Sequence, residues 1–232
     1  MSCPERLVRT RALLGDAAME RLAAARILLV GLGGVGGHAF DALVRSGIGH
    51  LTLVDFDTVS ESNLNRQLLA TRATLGRLKT EVARDHAALI SDDVNITLHS
   101  ERLAPETVDA LLADAAFDIV LDAIDDVGAK VALAVAATRR GIPILSCLGT
   151  GNRLDPSALT VTDIAKTEGC PLARAVRTRL RREGITHLPV VFSREPSLTP
   201  EGETRVGSLA AVPASAGLLL AAEAIRRLIR EK

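Results

Sequence analysis

A glycine-rich turn set between an apolar strand and a helix fixes the architecture of this chain more tightly than any other feature. Arg26–Val30 reads as a strand, the run Gly31-Leu-Gly33-Gly34-Val-Gly36-Gly37 follows, and a helix is predicted from about Val35 to Ser46. The Gly31-x-Gly33-x-x-Gly36 spacing lets backbone N–H groups and a helix N-terminus face a phosphate. It also suits a tight strand–helix turn that holds nothing.

The chain then alternates. Strands are predicted at His50–Asp55, Asn95–His99, Asp118–Asp122 and Pro143–Cys147. Helices fall between them, around Leu75–Ile90, Pro105–Ala113 and Val127–Arg140, and a further helix over residues 7–24 precedes the first strand. The continuous Ile-Val-Leu of the fourth strand suits a parallel strand covered on both faces. Such alternation implies right-handed crossovers and an α/β, Rossmann-like, doubly wound and mostly parallel sheet with N-terminal helices. After Gly151 the rhythm changes. Strands at Leu159–Ile164 and Pro189–Ser193, a helix from Pro171 to about Arg182, a polar loop from Ser193 to Arg205 and a last helix opening at Pro213 predict an α/β extension of the same sheet. The expected organisation is a single domain over 1–232, with residues 1–150 binding the nucleotide and 151–232 facing the substrate.

Asp55 lies 19 residues after Gly36, at the end of the second strand, where a carboxylate accepts hydrogen bonds from ribose hydroxyls. A dinucleotide enzyme would look the same this far. The next segment separates the two. Arg66 and Lys79 follow Asp55 by 11 and 24 residues, with Asn63 between. An arginine grips phosphate oxygens bidentately and a lysine acts as a point charge. Two cations and an amide fit a triphosphate, whose departing pyrophosphate gathers charge. Taken singly, Arg66 could pair with Glu61 or Asp57, and Lys79 could lie on a solvated helix face near Glu81. The run Asp122-Ala-Ile-Asp125-Asp126 ends the fourth strand, and beyond that carboxyl end a carboxylate, here Asp125, can hold Mg²⁺ together with water and phosphate oxygens. Asp126 could equally cap the next helix, and Asp122 is expected to be structural.

Taken together, Gly31-Leu-Gly-Gly-Val-Gly36, Val54-Asp-Phe-Asp-Thr-Val-Ser-Glu-Ser-Asn-Leu-Asn-Arg-Gln67, Lys79 and Leu121-Asp-Ala-Ile-Asp125 resemble the ubiquitin-activating-type (ThiF/MoeB/HesA) adenylating family over about residues 5–150. The resemblance implies that Gly31, Gly33, Gly34 and Gly36 cradle phosphates, that Asp55 binds ribose and that Asn63, Arg66 and Lys79 bind the phosphates of ATP. It implies that Asp125 serves Mg²⁺ and the transition state, with Arg66 and Lys79 as its catalytic partners. It also implies a homodimer in which an N-terminal arginine reaches the partner's ATP, with Arg6 the first candidate and Arg9 and Arg11 the others. Gly151-Asn-Arg-Leu-Asp-Pro, Val161-Thr-Asp-Ile-Ala-Lys166-Thr, Pro171-Leu-Ala-Arg174 and Val191-Phe-Ser193 extend the similarity toward the branch that dehydrates threonylcarbamoyladenosine in tRNA. A carrier-protein-activating role is the alternative, and a sulfur-transfer or redox protein is a further candidate partner.

Composition narrows the choice. The 28 basic and 28 acidic residues cancel, so no global field draws the chain to nucleic acid, and any tRNA contact needs a local patch. Lys166, Arg174, Arg177, Arg179, Arg181 and Arg182 supply one, with Arg174, Arg177 and Arg181 on one helical face. An ordinary solvated helix would look alike. With four Phe and no Tyr or Trp, a base-stacking platform is not expected and adenine would lie between aliphatic side chains. Cys3, Cys147 and Cys170 make no zinc half-site. Cys147 is expected to be inert packing. Cys170, at a helix start, could form a thioester, although cyclisation through an acyl-adenylate needs no thiol. The apolar stretch from Val206 to Ala222, broken by Pro213 and Gly217, is short for a membrane span and is expected to be a buried helix. A reduced cytoplasm is the expected compartment.

Overall fold

The computed structural model describes residues 4–113, 116–199 and 201–230, so Cys3 lies outside the described residues. Seven strands form one sheet: β1 Arg26–Val30, β2 His50–Val54, β3 Asn95–His99, β4 Ile119–Asp122, β5 Ile144–Leu148, β6 Leu159–Asp163 and β7 Pro189–Ser193, in the order β3-β2-β1-β4-β5-β7-β6. All are parallel except β6, which runs antiparallel to β7. The expected doubly wound sheet with a C-terminal extension is what the chain forms. Its strand order reverses between β1 and β4, and that crevice, at the carboxyl ends of the strands, is where open α/β sheets take ligands.

Each central strand feeds two cores by period-2 alternation. Ile27 and Leu29 of β1 face one apolar cluster, and Leu28 and Val30 face the other. Ile119 and Leu121 part from Val120 in the same way, as do Leu145 and Cys147 from Ile144 and Leu148. One cluster lies under α3 (Gly36–Arg45), α4 (Lys79–Ala88) and the last helix α8 (Ala211–Leu228); the other lies under α5 (Pro105–Ala113), α6 (Val127–Arg139) and α7 (Pro171–Arg182). Truncating Leu29 to Ala would remove a fully buried side chain at a cost of about 2–5 kcal/mol.

Three expected boundaries shift, each for a local reason. The helix expected over 7–24 is two, α1 Val8–Leu14 and α2 Asp16–Ala24, because Gly15 takes φ 81° and breaks it. The helix expected from Leu75 starts only at Lys79. Gly76 has φ 80°, and Leu78 is extended and bridges Thr58, so Lys79 becomes the first residue of α4. The last helix begins at Ala211 rather than Pro213, which fits its first turn because N–H groups there have no intrahelical acceptor. It packs on α3 with Gly217 at the crossing, where a Cβ would lie 2.2 Å from the Val35 carbonyl oxygen. Among the described residues, no helix is long and apolar enough to cross a membrane.

Candidate functional site

The four glycines of the turn do different jobs. Gly31 sits at φ 92°, and a Cβ there would lie 2.7 Å from the Ala123 carbonyl oxygen, in the loop after β4. A Cβ on Gly36 would overlap the Gly31 carbonyl oxygen at 1.7 Å. These two are required by the fold itself. A Cβ built on Gly34 would lie 3.1 Å from Pro213 Cβ of α8, a tight contact. Gly33 is different: the nearest atom to a Cβ there is Gln67 Nε2 at 3.9 Å, an ordinary contact, and its φ lies outside the left-handed region. Packing within the fold therefore gives no reason for a glycine at 33, and the backbone there is open to close approach.

Asp55 follows β2 and is 8% exposed. Its Oδ2 accepts the Leu32 N–H at 2.6 Å and its Oδ1 accepts the Asp57 N–H at 2.8 Å, so the carboxylate is knitted into the glycine turn. Each oxygen keeps a further lone pair for a ribose hydroxyl. Burial raises its pKa above the ordinary carboxylate value, against the pull of Lys79 and of the two amides.

Lys79 is 4% exposed, and its Nζ donates to Asp57 Oδ2 at 2.8 Å. The solvated face near Glu81 is therefore not what forms. The late start of α4 turns Lys79 inward, and Asp57, whose side chain is 49% exposed, is its partner. Asn63 ends a short 3₁₀ turn and accepts the Ser60 N–H at its Oδ1, which leaves its NH₂ group as donor. Arg66 Nη1 donates to the Ser62 carbonyl at 2.8 Å and to Asn65 Oδ1 at 2.9 Å. Among the described residues Arg66 makes no ion pair, with Glu61, Asp57 or any other acid. The Arg66 carbonyl oxygen lies 3.5 Å from a Cβ built on Gly34. The 63–67 segment thus lines the glycine turn.

The loop Ala123–Asp126 closes the other side. Ala123 N–H donates to the Val30 carbonyl at 2.8 Å. Asp126 caps α6 through the Ala129 N–H at 2.7 Å, which is the structural role open to it. Asp125 is exposed and, among the described residues, has no hydrogen-bond or ion-pair partner. Among them, too, no cluster of three His, Cys, Asp or Glu side chains is placed to hold a metal. Asp122 is buried, as expected for a structural residue, but its partner Lys130 was not foreseen. The signal was one lysine in the apolar run from Val127 to Ala137.

The remaining expected residues lie elsewhere. Arg6 pairs with Asp93, which leads into β3 at the amino ends of the strands, away from its own chain's glycine turn. Arg174, Arg177, Arg179 and Arg182 line a groove of about 600 Å³ along α7, with Gly169 and Cys170 at one end. Arg181 and Lys166 are not part of it. Arg177 is partly committed to the fold, since its Nη1 donates to the Thr167 carbonyl at 2.7 Å. Cys170 is buried and its Sγ accepts the Ala173 N–H at 3.4 Å as the cap of α7. Burial pushes the Cys147 thiol up to about 12, which makes it inert.

The chain is similar to several known proteins. The tRNA threonylcarbamoyladenosine dehydratase of Escherichia coli K12 is 36% identical over 220 residues, covering 91% of this chain and 81% of that protein. The crystal structure of E. coli tRNA N6-threonylcarbamoyladenosine dehydratase in complex with ATP is matched with a TM-score of 0.91 at 34% identity, over 97% of this chain and 94% of that one. The molybdopterin-synthase adenylyltransferase of Salmonella typhimurium is 40% identical over 151 residues, covering 65% of this chain and 59% of that protein. The model of the ThiF family matches residues 5–232, and the chain belongs to that family.

Proposed function

We propose that this chain is an ATP-dependent adenylating enzyme that cyclises threonylcarbamoyladenosine in tRNA with loss of water. The observation that carries the reading is Gly33: a glycine the fold does not need, beside Asp55 and lined by the 63–67 segment. Activation of a sulfur-carrier C-terminus is the less supported alternative, since likeness to the adenylyltransferase spans 65% of the chain and likeness to the dehydratase 91%.

In this reading Asp55 accepts from the ribose, and the glycine turn, Asn63, Arg66 and Lys79 hold the phosphates. The threonyl carboxylate attacks the α-phosphorus, the bond to the bridging oxygen breaks, and pyrophosphate leaves with its charge met by Arg66 and Lys79. A nucleophile of the same side chain then attacks the acyl carbon and gives up its proton, and AMP departs carrying one carboxylate oxygen. The intramolecular geometry provides the effective concentration of that closure. Asp125 would hold Mg²⁺ as a single carboxylate, which fits an ion whose other positions are filled by phosphate oxygens and water. Lys166, Arg174 and Arg177 would contact tRNA phosphates, which positions the substrate without reading sequence. Arg6, far from its own cradle, suits a homodimer in which it reaches the partner's nucleotide. One domain would then carry both halves of the task in the cytoplasm, with a sulfur-transfer or redox protein as an optional partner. The test is incubation with ATP and threonylcarbamoyladenosine-bearing tRNA, followed by nucleoside mass spectrometry. A product lighter by one water supports the reading; turnover only with a Gly-Gly-terminated protein supports the alternative.

A further inference from the structure

A buried polar knot lies behind the loop that carries Asp125. Asp122, the last residue of β4, and Lys130, in α6, both have fully buried side chains. Lys130 Nζ donates to Asp122 Oδ2 at 2.8 Å and to the Cys147 carbonyl at 3.0 Å. Ser146 Oγ donates to the same carboxylate oxygen at 2.7 Å. The other oxygen, Oδ1, accepts the Ile124 N–H at 3.0 Å.

Stability alone does not account for this pair, because apolar residues of the same volume commonly hold a core as well or better. Its geometry does. Lys130 and Ser146 fix one carboxylate oxygen, and that sets the direction of the other. The other oxygen holds the amide one residue before Asp125. On the far side, Asp126 is fixed by its own cap bond to Ala129. At the start of the loop, Ala123 is tied to Val30 and lies against Gly31. Asp125 is therefore the exposed residue between two neighbours that are both held.

We propose that Lys130 and Asp122 are a positioning pair that aims Asp125 at the nucleotide through the Ile124 amide. Neither residue touches a reactant. The proposal rests on the role given to Asp125 above.

Two double variants remove the charge pair without stranding an ion. Lys130→Met with Asp122→Asn keeps a side-chain carbonyl for the Ile124 N–H and a polar partner for the Ser146 hydroxyl. Lys130→Met with Asp122→Leu keeps no acceptor. The Asn form is expected to melt nearer the parent than the Leu form, in which the Ile124 N–H, the Ser146 hydroxyl and the Cys147 carbonyl lose their partners; both are expected to bind ATP with unchanged Kd. In ATP–pyrophosphate exchange with substrate tRNA, the Asn form is expected to keep kcat within about threefold. The Leu form is expected to lose roughly 10²-fold in kcat with KM for ATP unchanged, the scale of a misplacement of about 1 Å. Equal kcat in the two forms, high or low, would overturn the pairing. Should the Leu form not fold, Ser146→Ala decides: a fall in kcat of about threefold at constant KM supports the pair, and an unchanged kcat overturns it. Asp125→Ala is run beside them. Full activity there refutes the role of Asp125 itself, whereas an inactive Asp125→Ala beside a fully active Leu form removes only the positioning pair.

Discussion

Replacing Gly33 and Gly36 by alanine, one at a time, separates ligand from fold. At 36 the new Cβ would lie 1.7 Å from the Gly31 carbonyl oxygen, and real Cβ atoms essentially never come within 3.0 Å of another heavy atom. Backbone would have to move by about 1.3 Å, the difference of those distances. Overpacking of that kind costs about 3 kcal/mol or more. At 33 the nearest atom is 3.9 Å away and φ is outside the left-handed region, so the backbone tolerates alanine. Stability should then hold, or rise by about 0.4–1 kcal/mol through the lower entropy of the unfolded chain. The same methyl enters the space proposed for a phosphate. Losing one charge-assisted N–H bond costs about 1.5–3 kcal/mol, or roughly 10- to 150-fold in ATP affinity. Urea titration and calorimetric ATP binding read the two effects separately. Gly33→Ala should be stable and bind poorly, and Gly36→Ala should be destabilised. A Gly33→Ala protein that binds ATP as the parent does would refute the cradle.

Further outcomes follow from the same geometry. Lys79→Met removes a buried cation beside Asp57 and Asp55, so it should cost about 1–3 kcal/mol of stability and lower exchange kcat by about 10²–10³-fold; stability lost with kcat unchanged would contradict its role. Because burial raises the Asp55 pKa, ATP affinity should weaken on acidification at a pH above the ordinary 3.8, where the neutral carboxyl ceases to accept from two hydroxyls; calorimetry across pH 4–7 checks this. Asp41 behaves oppositely: burial works against its charge, but hydrogen bonds from Arg45 and His86 hold its pKa below 3.8. Its contribution is complete above 3.8 and lost as pH falls through the lowered value, so the stability gap between parent and Asp41→Asn should close in acid melts. Cys170→Ser should keep dehydration within a few-fold, since serine caps a helix well; a tenfold loss would restore a thioester role. Arg174→Glu with Arg182→Glu should weaken tRNA binding and shallow its salt dependence while sparing ATP, and an unaltered tRNA Kd would clear the groove.

The sheet was legible because parallel strands buried on both faces read as apolar runs and because Gly31 and Gly36 are imposed by backbone contact. Asp55, Arg66 and Lys79 are singled out by their order along the chain, a property of sequence. Their pairing is not, because it depends on turns. The bridge between Thr58 and Leu78 delays α4 and turns Lys79 to Asp57. Arg177 looked like its neighbours on a helical wheel, yet Thr167 arrives from another element to engage it. Lys130 escaped notice for the same reason: its partners Asp122 and Cys147 sit on two different strands. Contacts between distant segments are what a linear pattern carries least.

The most direct measurement follows one oxygen atom. With the threonyl carboxylate of the tRNA substrate labelled with heavy oxygen, a single turnover with unlabelled ATP should place one labelled oxygen in the phosphate of AMP and none in pyrophosphate. Label retained entirely in the nucleoside, or found in pyrophosphate, would mean that the carboxylate never meets the α-phosphorus in the crevice between β1 and β4.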